Sequence, residues 1–318
     1  MRTQTVLVTG GAGFIGSTLV DRLLAEGRRV VAVDDLSTGS LANLEDARRD
    51  AAGEFEFQRA DVVRGGLDAV VERHRPEVVV HLAARASGAA SVVDPVGDAM
   101  VNVVGTINVL EACRRFGVSK VVMATSGGAV ATDAELDRLP LDETWDGPGL
   151  SPHAAAERAA EEYLRTYGSV YGLRWTVLAM SNVYGPRQRS GDGAGVVATF
   201  VDAMLQGRPT TMHGDGQATR DFVYVDDVVH ALALAMERGD DERFCVGTGQ
   251  RTSIDRLFAA LAAATDHRRD PVFADARTGD ARHASVDARA AAHGLGWKPW
   301  TSLAEGLAAT LRWADTRG

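Results

Sequence analysis

The segment Thr9-Gly10-Gly11-Ala12-Gly13-Phe14-Ile15-Gly16 constrains this chain more than any other. It follows a short apolar run, Thr5–Thr9, and opens a helical pattern over Phe14–Glu26. Glycines at this spacing let a chain turn tightly after a strand. They also let its backbone approach a pyrophosphate, with the helix N-terminus facing the anion. The motif gains weight from its setting, because an acid, Asp34, closes the next apolar run. A carboxylate there accepts hydrogen bonds from a ribose 2′-OH and repels a 2′-phosphate, and Asp35 adds to the repulsion. The reading is an NAD site rather than an NADP site; the plainer alternative is a glycine turn beside a capping Asp.

The same alternation continues. Apolar runs at Thr5–Thr9, Val30–Asp34, Phe55–Arg59, Val78–Leu82, Val121–Ala124 and Trp175–Met180 are separated by helical patterns. The clearest of these are Phe14–Glu26, Leu67–Arg75, Asp98–Phe116 and His153–Tyr171. Strands alternating with helices predict an α/β fold, a doubly wound parallel sheet of the Rossmann type covered on both faces. After Asn182 the pattern changes to Gly, Pro and polar residues, then to helices at Val196–Gln206, Val225–Arg238, Ile254–Thr265 and Leu303–Ala314. The expected division is a cofactor domain over 1–180, with residues 222–238 returning to it, and a smaller α+β substrate lobe over 181–318.

Composition narrows the function class. A net charge of −9 argues against a nucleic-acid surface. Cys113 and Cys245 form no metal-ligand spacing, so no metal is expected and a reduced, cytoplasmic compartment is the simplest reading. No apolar run approaches the ~18 residues of a membrane span, so no membrane partner is expected.

Further motifs occur in a fixed order. They are Asp61-Val62, Leu82-Ala83-Ala84, Asn102 within Asn102-Val103-Val104-Gly105-Thr106, the run Asn182-Val183-Tyr184-Gly185-Pro186-Arg187-Gln188, the run Arg220-Asp221-Phe222-Val223-Tyr224, Gly279-Asp280 between Arg277 and Arg282, and Leu295-Gly296-Trp297-Lys298-Pro299. With the glycine loop, they resemble the extended short-chain dehydrogenase/reductase family, the NAD-dependent nucleotide-sugar epimerases and dehydratases, over essentially the whole chain. The resemblance implies NAD contacts from Gly10, Gly13, Phe14, Ile15, Gly16, Asp34, Asp35, Asp61, Val62, Leu82, Ala83, Ala84 and Asn102; for Asn102 a buried structural hydrogen bond stands beside ligand contact. It implies a nucleoside-diphosphate sugar held by Asn182, Arg187, Arg220 and either Arg277 or Arg282, with His213 near the base. Arginines converging from separate segments suit a diphosphate in an otherwise acidic protein. A homodimer is implied in the same way.

The resemblance fails at one place. The family carries Tyr-x-x-x-Lys where this chain has His153-Ala154-Ala155-Ala156-Glu157. Lys occurs only at 120 and 298, neither four residues after a Tyr, so no shift of alignment restores the motif. The hydroxyl position falls on Gly127, with Thr125 and Ser126 beside it, and the dehydratase acids would fall on Gly128 and Ala129. His153 is the candidate substitute base, since imidazole titrates near neutrality. Glu157, one helical turn on, could orient it and favour its protonated form. The bland alternative is an exposed helix start with Ser151 as N-cap, Pro152 at N1 and an incidental His. The best reading is an epimerase-like enzyme on a UDP- or dTDP-linked sugar. A catalytically silent binding protein, and a lyase or isomerase of specialised biosynthesis, are the alternatives.

Overall fold

The computed structural model describes residues 4–50, 53–126, 139–145, 151–191, 194–276 and 281–316. Its strands are β1 (Thr5–Thr9), β2 (Arg29–Asp34), β3 (Phe55–Arg59), β4 (Val78–His81), β5 (Lys120–Ser126), β6 (Arg174–Met180), β7 (Asn182–Tyr184), β8 (Thr211–His213), β9 (Thr219–Arg220), β10 (Phe222–Tyr224), β11 (Glu242–Val246), β12 (Thr252–Ser253) and β13 (Val272–Ala274). Its helices are α1 (Phe14–Ala25), α2 (Glu45–Asp50), α3 (Leu67–His74), α4 (Gly88–Val93), α5 (Pro95–Ala99), α6 (Gly105–Phe116), α7 (Pro152–Tyr171), α8 (Val196–Leu205), α9 (Val225–Ala235), α10 (Ile254–Thr265), α11 (Arg289–Gly294) and α12 (Leu303–Asp315).

Seven strands form one parallel sheet in the order β11-β6-β5-β4-β1-β2-β3. This is the doubly wound arrangement expected from the sequence. The order reverses between β1 and β4, so the crevice outside their carboxyl ends is where such sheets bind ligands. Successive side chains on a strand face opposite ways, and the apolar runs feed two cores accordingly. Val6, Val8, Val30, Ala32, Val78 and Val80 join α1, α8 and α9 on one face. Leu7, Val31, Val33, Val79 and Val121 join α3, α6 and α7 on the other.

Three short strand pairs, β7–β10, β8–β13 and β9–β12, lie outside the main sheet. The seventh strand, β11, was not legible in the sequence. Its run, Glu242-Arg243-Phe244-Cys245-Val246, starts with two charges and has no alternation to mark it. It pairs with β6 from Glu242↔Thr176 to Val246↔Met180, so the chain's return to the sheet extends past residue 238.

The helix expected over Asp98–Phe116 is interrupted: a π turn, Met100–Val104, joins α5 to α6. Single π turns inside α-helices occur often at functional sites. The whole run Pro95–Phe116 is long and apolar enough on composition to cross a membrane, which the sequence reading did not foresee. In this fold its apolar face lies in the second core through Val109, Leu110, Ala112 and Cys113.

Lys120 stands at the start of β5, at the sheet end opposite the glycine loop. Its ammonium is buried and donates to Asp240 Oδ1 and to the Arg238 carbonyl, both at 2.6 Å. That lysine holds the sheet edge together and is remote from the crevice.

Candidate active site

The glycine loop is built by exclusion. Gly10 has φ +66°, a left-handed conformation, and a Cβ on it would sit 2.9 Å from the Leu82 carbonyl and the Ala83 nitrogen. A Cβ on Gly16 would sit 2.1 Å from the Gly10 oxygen. The loop therefore packs directly onto the segment after β4, and Leu82 and Ala83 both donate their N–H to Thr9 Oγ1. Gly13 is the N-cap residue of α1, with Phe14 and Ile15 opening the helix. Below the loop, Thr9 Oγ1 bonds His81 Nδ1 at 2.7 Å and His81 Nε2 bonds Thr106 Oγ1 at 3.0 Å. Burial lowers the His81 pKa to about 4 and keeps the ring neutral.

Asp34 is buried at the end of β2. Its Oδ2 accepts from Ala12 N–H at 3.0 Å and its Oδ1 from Leu36 N–H at 2.8 Å, which locks the acid to the loop. Burial pushes its carboxyl above the ordinary range, against the pull of those two amides. Asp35 is exposed instead and accepts from Ser37. Asp61 accepts from Val63 N–H at 2.8 Å, and Val62 lies under Gly105, where a Cβ would come within 2.8 Å of it. These residues fit a dinucleotide: the backbone is bare where a pyrophosphate must approach, and a carboxylate stands at the second strand end.

The expected diphosphate residues are placed unevenly. Arg220 donates to the Arg282 carbonyl at 3.2 Å, so these two segments meet. The Arg282 guanidinium pairs with Asp215 at 2.7 Å. Asn182 is exposed on β7, and its backbone N–H bonds the Asp221 carbonyl at 2.9 Å. Arg187 crosses to α1 and pairs with Asp21 at 2.6 Å, its side chain 16% exposed. His213 Nδ1 bonds the Asp275 carbonyl. Arg277, with Gly279 and Asp280, lies outside the described residues, as do Gly127, Gly128 and Ala129.

At the altered centre, Ser151 caps α7 through Ala154 N–H and Pro152 sits in its first turn, as the sequence suggested. His153, however, is not exposed; it is 3% accessible, which removes the reading of an incidental surface histidine. Its backbone N–H bonds Ser91 Oγ at 3.0 Å. Its Nε2 lies 3.3 Å from Glu157 Oε1. Its Nδ1 faces Asn102 Nδ2 at 3.2 Å and Asp98 Oδ1 at 3.6 Å. Burial alone would lower the imidazole pKa, but Glu157 and Asp98 outweigh it and hold the ring above its ordinary value.

Glu157 reaches further. Its Oε1 accepts from both the backbone N–H and the hydroxyl of Ser126. It lines a small pocket of about 30 Å³ with His81, Ala83, Asn102 and Thr125, which His153 does not. Thr125 turns to the next turn of α7 and donates to Glu161 Oε1 at 3.0 Å, and Glu161 in turn pairs with Arg243. Sequence reasoning missed Asp98, Ser91 and Glu161. One signal for Asp98 was available: it stands four residues before Asn102, on the same helix face.

Residues 6–247 match the model of the NAD dependent epimerase/dehydratase family. A UDP-glucose 4-epimerase of Mycolicibacterium smegmatis is 47% identical over 98% of this chain and 97% of its own length. The crystal structure of a UDP-glucose 4-epimerase from Thermotoga maritima with UDP-glucose is 41% identical and superposes with a TM-score of 0.93 over 99% of both chains. That of a Thermus thermophilus UDP-glucose 4-epimerase complexed with NAD is 39% identical, with a TM-score of 0.88 over 98% of both chains. The chain belongs to the NAD-dependent epimerase/dehydratase family, as an enzyme whose cofactor is NAD.

Proposed function

We propose that this enzyme interconverts a UDP-linked hexose and its 4-epimer, with Glu157 rather than a tyrosine as the group that takes the sugar hydroxyl proton. The observation that carries the reading is the 47% identity, over nearly the full length, to a UDP-glucose 4-epimerase. The packing of the Arg220 segment against that of Arg282, through the Arg282 carbonyl, brings two arginine-bearing segments together as a diphosphate ligand would need. NAD, when bound, supplies the hydride acceptor and donor of such a reaction. The side chains move the proton: a sugar hydroxyl gives its proton to Ser126 Oγ, and the Ser126 proton passes to Glu157 Oε1, 3.0 Å away. A carboxylate base of this kind contributes about 10²–10⁴-fold. His153 stands behind Glu157 and orients it.

The test is direct. Purified protein with NAD is incubated with UDP-glucose, UDP-galactose and a panel of other UDP- and dTDP-linked sugars, and products are separated by chromatography. Interconversion that Glu157→Gln abolishes supports the reading. Absence of turnover across the panel, or full turnover in Glu157→Gln, sinks it.

Two coarser expectations remain proposals. A homodimer joined through α7 is supported by its exposed apolar stripe, Tyr163, Val170 and Tyr171; sedimentation as a monomer at micromolar concentration contradicts it. The cytoplasm is supported by Cys113 and Cys245, both buried and free.

A further inference from the structure

Asp98 is 1% exposed, and among the described residues neither of its carboxylate oxygens has a hydrogen-bond partner. A bare, buried carboxylate is costly, so its surroundings must compensate it in some state of the protein. Among the described residues the ring of His153 is the cationic group within reach, with Nδ1 at 3.6 Å from Oδ1, too long for a formed hydrogen bond.

That nitrogen has a second, closer neighbour. Asn102 Oδ1 accepts from Arg85 N–H at 2.9 Å and Asn102 Nδ2 donates to the Arg85 carbonyl at 3.1 Å, which fixes the amide the way it stands. Its N–H₂ therefore points at His153 Nδ1, 3.2 Å away. A donor there requires a bare Nδ1, which places the single proton of the neutral ring on Nε2, facing Glu157. A second proton, added to Nδ1, would confront the Asn102 amide with another donor. Asp98 is the acceptor on the same side, one helical turn before Asn102.

We propose that His153 is a two-position group whose Nδ1 leans on Asn102 when the ring is neutral and on Asp98 when the ring is protonated, with Asp98 the positioning residue for the charged state. The step forms one N–H bond at the Nδ1 lone pair with a proton from solvent hydronium, whose O–H bond breaks to leave water, and changes no other covalent bond. Among the described residues, the titratable groups that face the ring are Asp98 from α5 and Glu157 from its own helix. From α4 and the π turn come Ser91 and Asn102, which do not titrate. Nearby Arg85 and Asp94 are paired with each other at 2.6 Å. In the protonated state the ring lies between two carboxylates and returns a positive charge to the side of Glu157, where the sequence has lost its lysine. The catalytic meaning rests on the proposed role of Glu157, but the swap itself needs no substrate.

The experiment is an NMR titration of the histidine ring nitrogens in the intact protein. It is run on wild type, Asp98→Asn and His153→Gln, the last to assign the signal. The expected wild-type result is a neutral form with a bare Nδ1 and a midpoint above the ordinary histidine value. Asp98→Asn lowers the proton affinity of His153 by about tenfold or more. A neutral form protonated on Nδ1, or a midpoint that Asp98→Asn leaves unmoved, overturns the proposal. Should Asp98→Asn fail to fold, the Asp98 carboxyl carbon is followed in wild type. An ionised Asp98 whose signal moves at the His153 midpoint supports the swap, and an Asp98 protonated at neutral pH refutes it. Turnover is measured separately, so a failed swap and a failed epimerase assay are distinguishable.

Discussion

One oxygen of Glu157, Oε1, accepts two hydrogen bonds from Ser126, from its amide and its hydroxyl, each 3.0 Å long. The strand end and the helix are thereby fastened at the point where proton transfer is proposed. Glu157→Gln keeps an oxygen that can accept both bonds and removes the charge. We expect kcat to fall by about 10²–10⁴-fold with NAD affinity retained. The check is steady-state kinetics beside a calorimetric NAD titration; a rise in KM with kcat unchanged would count against the assignment.

Gly16→Ala tests the glycine loop. The new methyl would stand 2.1 Å from the Gly10 oxygen, backbone that cannot yield without moving the loop. A loss of about 1–3 kcal/mol in stability is expected from overpacking, together with weakened NAD binding. Thermal unfolding with and without NAD separates the two effects, since a bound ligand raises the midpoint only where the site survives.

Arg220→Gln should weaken UDP-sugar binding and spare NAD. A hydrogen bond to a charged group is worth about 1.5–3 kcal/mol, so KM should rise about 10- to 100-fold with kcat little changed. Equal losses in KM and kcat would place Arg220 at the reacting end of the pocket instead.

Lys120→Met asks whether this lysine serves the chemistry. The methionine fills the buried channel at the start of β5, while Asp240 is exposed enough to be hydrated by water. Activity should be unchanged and stability lower by about 1–2 kcal/mol, because the Arg238 carbonyl loses its 2.6 Å donor and keeps only Thr176 Oγ1 at 3.4 Å. Kinetics and urea unfolding of the same preparation decide it.

Two histidines should bend the pH dependence of stability in opposite senses. His81, held down to about 4, binds its proton less readily in the folded chain than in the unfolded one. Stability therefore falls as pH drops below about 6.5, by roughly 3 kcal/mol once pH reaches the folded value. His153, held above its ordinary value, stabilises fully below about 6.5, and this contribution is lost as pH rises through the raised value. Urea titrations across this range should show the acid slope flatten in His81→Asn and the alkaline slope flatten in His153→Gln.

Much of this was legible from residues alone. The glycine loop, the first six strands and the helix carrying His153 follow from periodicity and turn chemistry, which are local. The position of Glu157 one turn from His153 is equally local, and so is the raised imidazole pKa that follows. What stayed hidden is non-local. Asp98 meets His153 across 55 positions of sequence, an encounter that depends on how α5 packs against α7. The burial of His153 behind Glu157, which changes which of them faces the pocket, is a packing result too. Arg187 carries a motif position yet finds Asp21 on α1, a partner no spacing rule contains.

The seventh strand has a consequence for recombination. Because α9 packs on α1 and β11 completes the sheet beside β6, the half of the molecule that holds the glycine loop is not finished until Val246 has been made. A fragment ending near residue 180 would bare the apolar face that Val228, Leu232 and Phe244 cover. Exchanging substrate lobes between relatives therefore cannot be done with one crossover; the graft must leave residues 222–246 with the cofactor half and replace the segments on either side.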